Sequence, residues 1–321
     1  MNNLFERFLK KLCINNIGVA EAISKASRSE TYVETISNKA DALHWNINRN
    51  YPETITQEFF RFVKPEIIKQ RLGLVDLVAD VTEEDFYGKH SGLWIHGWTG
   101  EKGVRGKLRY LVVAISVRNQ IIPFYVEILP IGAFKAESLG KAVNYCKSLG
   151  LKIGSLLLDR GFYSGDVIDT LQLNKTKYLI FVPKNNFIKK AFNETKDDCI
   201  ILHDIMYTKD KRKHFAISDH VLIHNYKDYA WAFATNIDLK ELTNYVSLYK
   251  KRWNIETMFR VHDEARIKSK SVKPEVRLFY FVISMLLLLI WNIYYKTKLT
   301  FKLFTIQVHE ELEQAVKMLA N

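Results

Sequence analysis

RYLVVAISVRNQIIPFYVEIL, residues 109–129, holds two apolar runs of strand length, 109–117 and 121–129, both rich in β-branched residues. Only Arg118, Asn119 and Gln120 lie between them, so the two runs predict neighbouring strands of a hairpin. Pro123 has no N–H to give to a ladder, which puts the second strand at a sheet edge. Working outward, LVDLVAD (74–80) predicts a strand before the hairpin. After it, residues 135–149 predict a helix ended by Gly150, a residue suited to the left-handed cap position. SLLL (155–158) is a short buried strand that delivers Asp159; Ser164 is placed to cap the next helix, and YLIFV (178–182) is a fifth strand. The order is three strands, the last two in a hairpin, then helix, strand, helix and strand. That order predicts an α/β core with an antiparallel edge and a parallel remainder.

The flanks differ in texture. Residues 1–70 predict a helical region, with Leu4, Phe8, Leu9 and Leu12 and then Phe59, Phe62 and Val63 at helical spacing, and Tyr51-Pro52 between the two stretches. This region is a candidate DNA-binding module, with a packing subdomain as the alternative. Residues 71–183 form the first part of the core. Residues 184–238 carry short alternating runs, such as 199–206 and 229–235, and predict a β-rich insertion. Helical spacing resumes over 239–266 within a C-terminal part, 239–321. Residues 278–295 contain no charge, which reaches the lower limit for a membrane span. Ser284, Asn292 and three tyrosines in that stretch favour a core helix.

Lys and Arg total 47 against 35 Asp and Glu, a net charge of +12 that favours a polyanionic partner. Cys13, Cys146 and Cys199 lie far apart, so neither a disulfide framework nor a thiolate zinc site is indicated. A reducing, cytoplasmic setting fits best.

Open α/β sheets bind ligands where strands end and loops diverge, and Asp80 and Asp159 are both expected at such ends. On neighbouring strands their backbones lie about 4.8 Å apart, near enough to share a metal ion. Glu256 is the third candidate. On one continuous helix Tyr249, Arg252, Glu256 and Arg260 fall at about 0°, 300°, 340° and 20°, a polar stripe opposite Leu248, Ile255, Met258 and Phe259. Oxygen ligands of this kind suit Mg²⁺ or Mn²⁺, and two such ions activate a hydroxyl and stabilise a leaving oxygen at phosphorus. Arg252 and Arg260 suit phosphate. Each carboxylate also has a plain reading, as a turn cap or a solvated charge, and Asp76 shares the strand and side-chain parity of Asp80. Trp253 and Trp231 suit base stacking or simple packing. Residues 175–213 hold ten basic and five acidic residues, which suits a DNA backbone or an ordinary solvated surface.

The strings VADVTEEDFYG (78–88), LLLDRGFYS (156–164) and YKKRWNIETMFR (249–260) resemble the DDE transposases of insertion sequences, in the group with a Y-R-E-K signature. The resemblance implies an RNase H-like mixed sheet flanked by helices, with a β-rich insertion before the last catalytic helix. It implies Asp80, Asp159 and Glu256 as the metal-holding triad, and Tyr249 and Arg252 as phosphate contacts. The signature Lys is replaced by Asp263, and Arg260 is the candidate to take its role. The reading is therefore a two-metal transposase that cuts at terminal inverted repeats and joins 3′-hydroxyl ends to target DNA. It is expected to act as a homodimer on double-stranded DNA, nucleoid-associated and away from membrane. An RNase H-fold nuclease and an inactive DNA-binding derivative stay open beside it, the latter because of Asp263.

Overall fold

The computed structural model describes residues 17–320 apart from 39, 90, 91, 98, 99, 101, 118, 119 and 265. The helix expected around Leu4, Phe8, Leu9 and Leu12 and the hairpin joint at Arg118 and Asn119 lie outside the described residues. The hairpin itself is present: β3 (Gly106–Val117) pairs antiparallel with β4 (Gln120–Ile128) from Val117↔Gln120 to Tyr110↔Ile128. β4 pairs with β3 alone, so Pro123 sits on the edge where its missing donor costs no ladder bond. A short strand, β2 (His96–Gly97), takes the rest of that side of β3.

On its other side β3 pairs antiparallel with β1 (Leu74–Phe86), and β1 pairs parallel with β5 (Lys152–Leu158), which pairs parallel with β6 (Tyr178–Phe181). Leu156, Leu157 and Leu158 are wholly buried, which is why β5 reads as an unbroken apolar run and not as an alternation. This is the expected mixed sheet, antiparallel on the β3 side and parallel from β1 to β6.

Residues 184–238 do not merely interrupt that core. β9 (Tyr229–Thr235) pairs antiparallel with β6 through Phe181↔Phe233, and β8 (Arg212–Tyr226) and β7 (Cys199–Lys209) follow, so one nine-stranded sheet runs β4-β3-β1-β5-β6-β9-β8-β7 with β2 beside β4. The buried β6 needs hydrogen-bond partners on both edges, and β9 supplies the second set.

Helices cover the faces. α1 (Ile17–Arg28), α2 (Val33–Ile36), α3 (Ala40–Ile47) and α4 (Pro52–Lys69) precede the sheet. Pro52 opens α4 where no N–H is needed, and the helix runs on through Pro65. α5 (Lys135–Ser148) ends before Gly150, whose φ of +78° supplies the expected left-handed cap. α6 (Gly165–Leu173) has Ser164 at its N-cap position, without a side-chain cap bond. α7 (Asn186–Glu194), inside the insertion, is capped by Asn185 through the Ile188 N–H at 2.9 Å. Its alternating neighbours gave no sign of it. α8 (Thr243–Lys250), α9 (Trp253–Asp263), α10 (Pro274–Tyr294) and α11 (Phe301–Ala320) complete the chain.

α10 is long and apolar enough to cross a membrane, yet 83% of its apolar window is buried inside the protein. It is a core helix, stacked by Phe281 on Tyr110 of β3 at 4.1 Å between ring centroids. The N-terminal helices close over it and α11, through His44 Nε2 and the Tyr280 hydroxyl at 2.9 Å and the Ser24 hydroxyl and His309 Nδ1 at 3.2 Å. Residues 17–69 thus share the common core.

Candidate active site

The last parallel pair of β1 and β5 is Ala79↔Leu158. The next residues on the two strands are Asp80 and Asp159, so adjacent strands bring both carboxylates to one point. β5 stops there. β1 does not: its sequence reading ended at Asp80, but the strand continues to Phe86 because β3 pairs with it down to Gly106. Glu83 facing Arg109 across that pair, with Lys107 Nζ at 3.1 Å from the Glu83 carboxylate, explains why the polar TEEDF stretch stays in the sheet. Asp80 therefore sits mid-strand.

Asp159 leaves β5 as the N-cap of a 3₁₀ turn, Arg160–Phe162, its Oδ1 accepting the Gly161 N–H at 2.9 Å. Lys135 Nζ donates to the Gly161 carbonyl at 2.7 Å and pins the turn. A side chain at 161 would press on the Asp159 carboxylate, since its Cβ would lie 3.1 Å from Oδ1. The capping role occupies one oxygen and leaves the other.

Burial, and then the charge of Asp159, push the Asp80 carboxyl up to about 6; the Val81 N–H and the Arg252 guanidinium oppose them. Asp80 thus sits in a partly dry setting beside other carboxylates. Such a place attracts a cation.

A cation stands beside Asp80: Arg252, buried at the junction between α8 and α9. One amino nitrogen lies 3.9 Å from Asp80 Oδ2, and the other is ion-paired to Glu256 Oε1. Its Nε is buried without a hydrogen-bond partner. The expected polar stripe is thus only partly surface. The helical count assumed one helix, whereas Lys251 and Arg252 separate two, although both keep right-handed helical dihedrals. Tyr249 is buried, its ring packed among Phe181, Phe233 and Trp231 at 5.2–6.4 Å. Burial pushes its hydroxyl up to about 12, with Arg252 pulling the other way. Ile255 and Met258 are buried as expected, while Glu256 is exposed.

The remaining candidates separate. Asp76 is engaged elsewhere: its Oδ1 accepts from the Ser155 hydroxyl at 2.7 Å and its Oδ2 pairs with Lys251 Nζ at 2.8 Å. It anchors the α8–α9 junction to β1. Arg260 is exposed one turn beyond Glu256. Trp253 is 47% exposed beside the junction, free to meet a ligand, while Trp231 is a packing residue of the aromatic cluster. Asp263 pairs with His262 Nδ1 at 3.3 Å and Arg266 at 4.0 Å. Sequence reasoning missed the link from the turn after Asp159 to the insertion, where the Tyr163 hydroxyl meets His220 Nε2 at 2.9 Å. A single aromatic and a single His far apart in sequence give no signal of such a pair.

The three carboxylates do not stand as a ready-made metal cluster: among the described residues no group of three or more His, Cys, Asp or Glu is close enough. Arg252 stands among them, ion-paired to Glu256 and 3.9 Å from Asp80 Oδ2. The donors nonetheless suit a hard divalent cation, being carboxylate oxygens only, with Asp80 short of positive charge.

Residues 138–292 match the transposase DDE domain. The matched stretch is just under half of the chain; it includes Asp159 and Glu256 and begins after Asp80. Among solved structures, the piggyBac transposase synaptic complex with hairpin DNA is similar at a TM-score of 0.49 and 13% identity, over 74% of this chain. The likeness spans about half (52%) of that longer chain. No curated protein matches the sequence.

Proposed function

We propose that the protein is a metal-dependent DNA transposase of the Y-R-E-K group, acting at transposon ends and joining 3′-hydroxyl ends to target DNA. The observation that carries this reading is the arrival of Asp80 and Asp159 at one point from adjacent parallel strands, under a helix junction that brings Arg252 and Glu256. The family match supports the transposase reading. Asp80, Asp159 and Glu256 are the residues that would hold one or two Mg²⁺ or Mn²⁺ ions. When bound, such ions supply charge stabilisation and a nucleophilic oxygen at neutral pH.

The chain's own residues do the rest. Asp80 is held in β1 and Asp159 on its pinned turn, so the sheet sets where the backbones of the two acids meet. Arg252, once drawn off Glu256, presents a guanidinium to a phosphate oxygen beside Asp80. Arg260 and Trp253, exposed along the same helix, extend the contact to flanking phosphate and base. The net charge of +12 favours double-stranded DNA, and two element ends require a homodimer on that DNA. A nucleoid-associated, cytoplasmic setting follows from that partner.

Asp159→Asn is expected to abolish Mg²⁺-dependent cleavage of end-containing DNA, by at least about a hundredfold, while binding of the same DNA in a mobility shift is kept. Undiminished cleavage by the variant would overturn the mechanism. Asp263, tied to His262 and Arg266 where the signature has Lys, favours one second reading, a DNA-binding protein without cleavage. Binding without cleavage by the unaltered chain would establish it.

A further inference from the structure

The β7–β8 hairpin has two unlike faces. α6 and α7 cover one: the Tyr207 hydroxyl donates to Asp169 at 2.7 Å, and Phe187 stacks on His203 at 3.5 Å. The other face lies open among the described residues. Leu202, Met206, Phe215 and Ile217 stand on it side by side, between 52% and 67% exposed. Single exposed apolar residues are ordinary, but four in adjoining positions mark an interaction surface. Among the described residues β7 also ends the sheet, pairing with β8 alone.

We propose that this face docks a second copy of the chain about a two-fold axis. Its charge pattern selects that occupant. Lys213 lies at the tip end of β8 and Asp219 six residues on, about 20 Å away. A two-fold axis over Ala216 lays Lys213 of one copy on Asp219 of the other and Phe215 on Ile217, so that β8 complements its own reverse, while along β7 Met206 meets Asp204. DNA is disfavoured there, because the apolar residues are interleaved with Asp204 and Asp219. Two strands of this length cover a small area, so the contact belongs to the reversible class below about 1,200 Å² of total buried surface.

The face also looks toward the catalytic side of the sheet. Val221 of β8 is paired with Phe233, and Phe233 with Phe181, whose rings pack on Tyr249; Leu179, two before Phe181, registers through Leu157 with Val78, two before Asp80. Residues 213, 215, 217 and 219 share that orientation. A docked copy therefore stands roughly 20 Å across the sheet from Asp80, four strand spacings away. This names the interface of the dimer proposed above, yet the contact requires no DNA.

Sedimentation velocity of the full chain without DNA, over a wide concentration range, tests the proposal apart from any cleavage chemistry. The unaltered protein is expected to dimerise reversibly. Phe215→Glu is expected to weaken the dimer at least about tenfold. Lys213→Glu alone should weaken it, and the swap Lys213→Glu with Asp219→Lys should restore it, a rescue that misfolding cannot produce. A protein that stays monomeric throughout, or a Phe215→Glu variant that dimerises like the parent, overturns the assignment. The transposase reading would survive either result.

Discussion

The parallel strand β5 and the hairpin strand β7 belong to one sheet but obey different rules. β5 is covered on both faces, and its three consecutive leucines are all buried. β7 alternates between half-buried and exposed residues along its length. Two-sided burial leaves no place for a charge within the strand, so Asp159, the first charged residue after the leucines, marks where the sheet opens. One-sided burial makes half the residues of β7 answerable to something other than the core. In one region the leucines build the fold; in the other they are left for a partner.

The same substitution in both places puts that difference to the test. Leu157→Ala is expected to cost about 2–5 kcal/mol, read as a fall in denaturant midpoint, because the cavity opens between tightly packed layers. A cost under about 1 kcal/mol would mean that β5 is less tightly enclosed than its burial indicates.

Next in size is a pH effect where the hairpin meets the turn that follows Asp159. His220 donates from Nδ1 to the Ser218 carbonyl at 3.0 Å, so Nε2 accepts from Tyr163. Burial pushes its pKa down from 6.5 to about 4, with a nearby His203 adding to the fall and the Ser218 contact opposing it. The unfolded chain takes a proton between those values and the folded one does not. Stability is therefore full above about pH 6.5 and is lost as pH falls toward 4, by up to about 3 kcal/mol. Chemical denaturation at pH 7 and pH 4.5 measures this, and His220→Gln should flatten the slope. An unchanged slope would assign the acid sensitivity to other groups.

Smallest of all, Leu202→Ala is expected to leave monomer stability within about 0.5 kcal/mol. A large loss would show that the open face is part of the monomer core.

How much of this was legible beforehand follows from the same contrast. The apolar runs at β1, β3, β4, β5 and β6 announced themselves, because burial on both faces or a tight hairpin leaves its mark locally. The position of Asp159 could be read from the end of such a run. The pairing of β9 with β6 could not, because a strand's partner leaves no trace in its own residues. Nor could the end of β1: TEEDF looks like a loop until Arg109 and Lys107 are found opposite it. In the helical region, a face count gave the angular order of Tyr249, Arg252 and Glu256 but assumed a continuous, solvated stripe. Aromatic residues of β6 and β9, distant in sequence, bury Tyr249, and Lys251 reaching back to Asp76 fixes the junction. Such long-range contacts decide exposure, which periodicity alone leaves open.

The extension of β1 past its parallel neighbour has a mechanical meaning. Asp80 is carried on backbone that is laddered before and after it, so it has almost no freedom to move. Asp159 rides on a single pinned turn, and Glu256 stands on an exposed helical surface with its side chain ion-paired to Arg252. The three acids thus form a series from stiff to compliant. Under the proposed metal-binding reading, the strand would keep Asp80 as the fixed reference point, while the turn and the helix supply the two ligands that adapt.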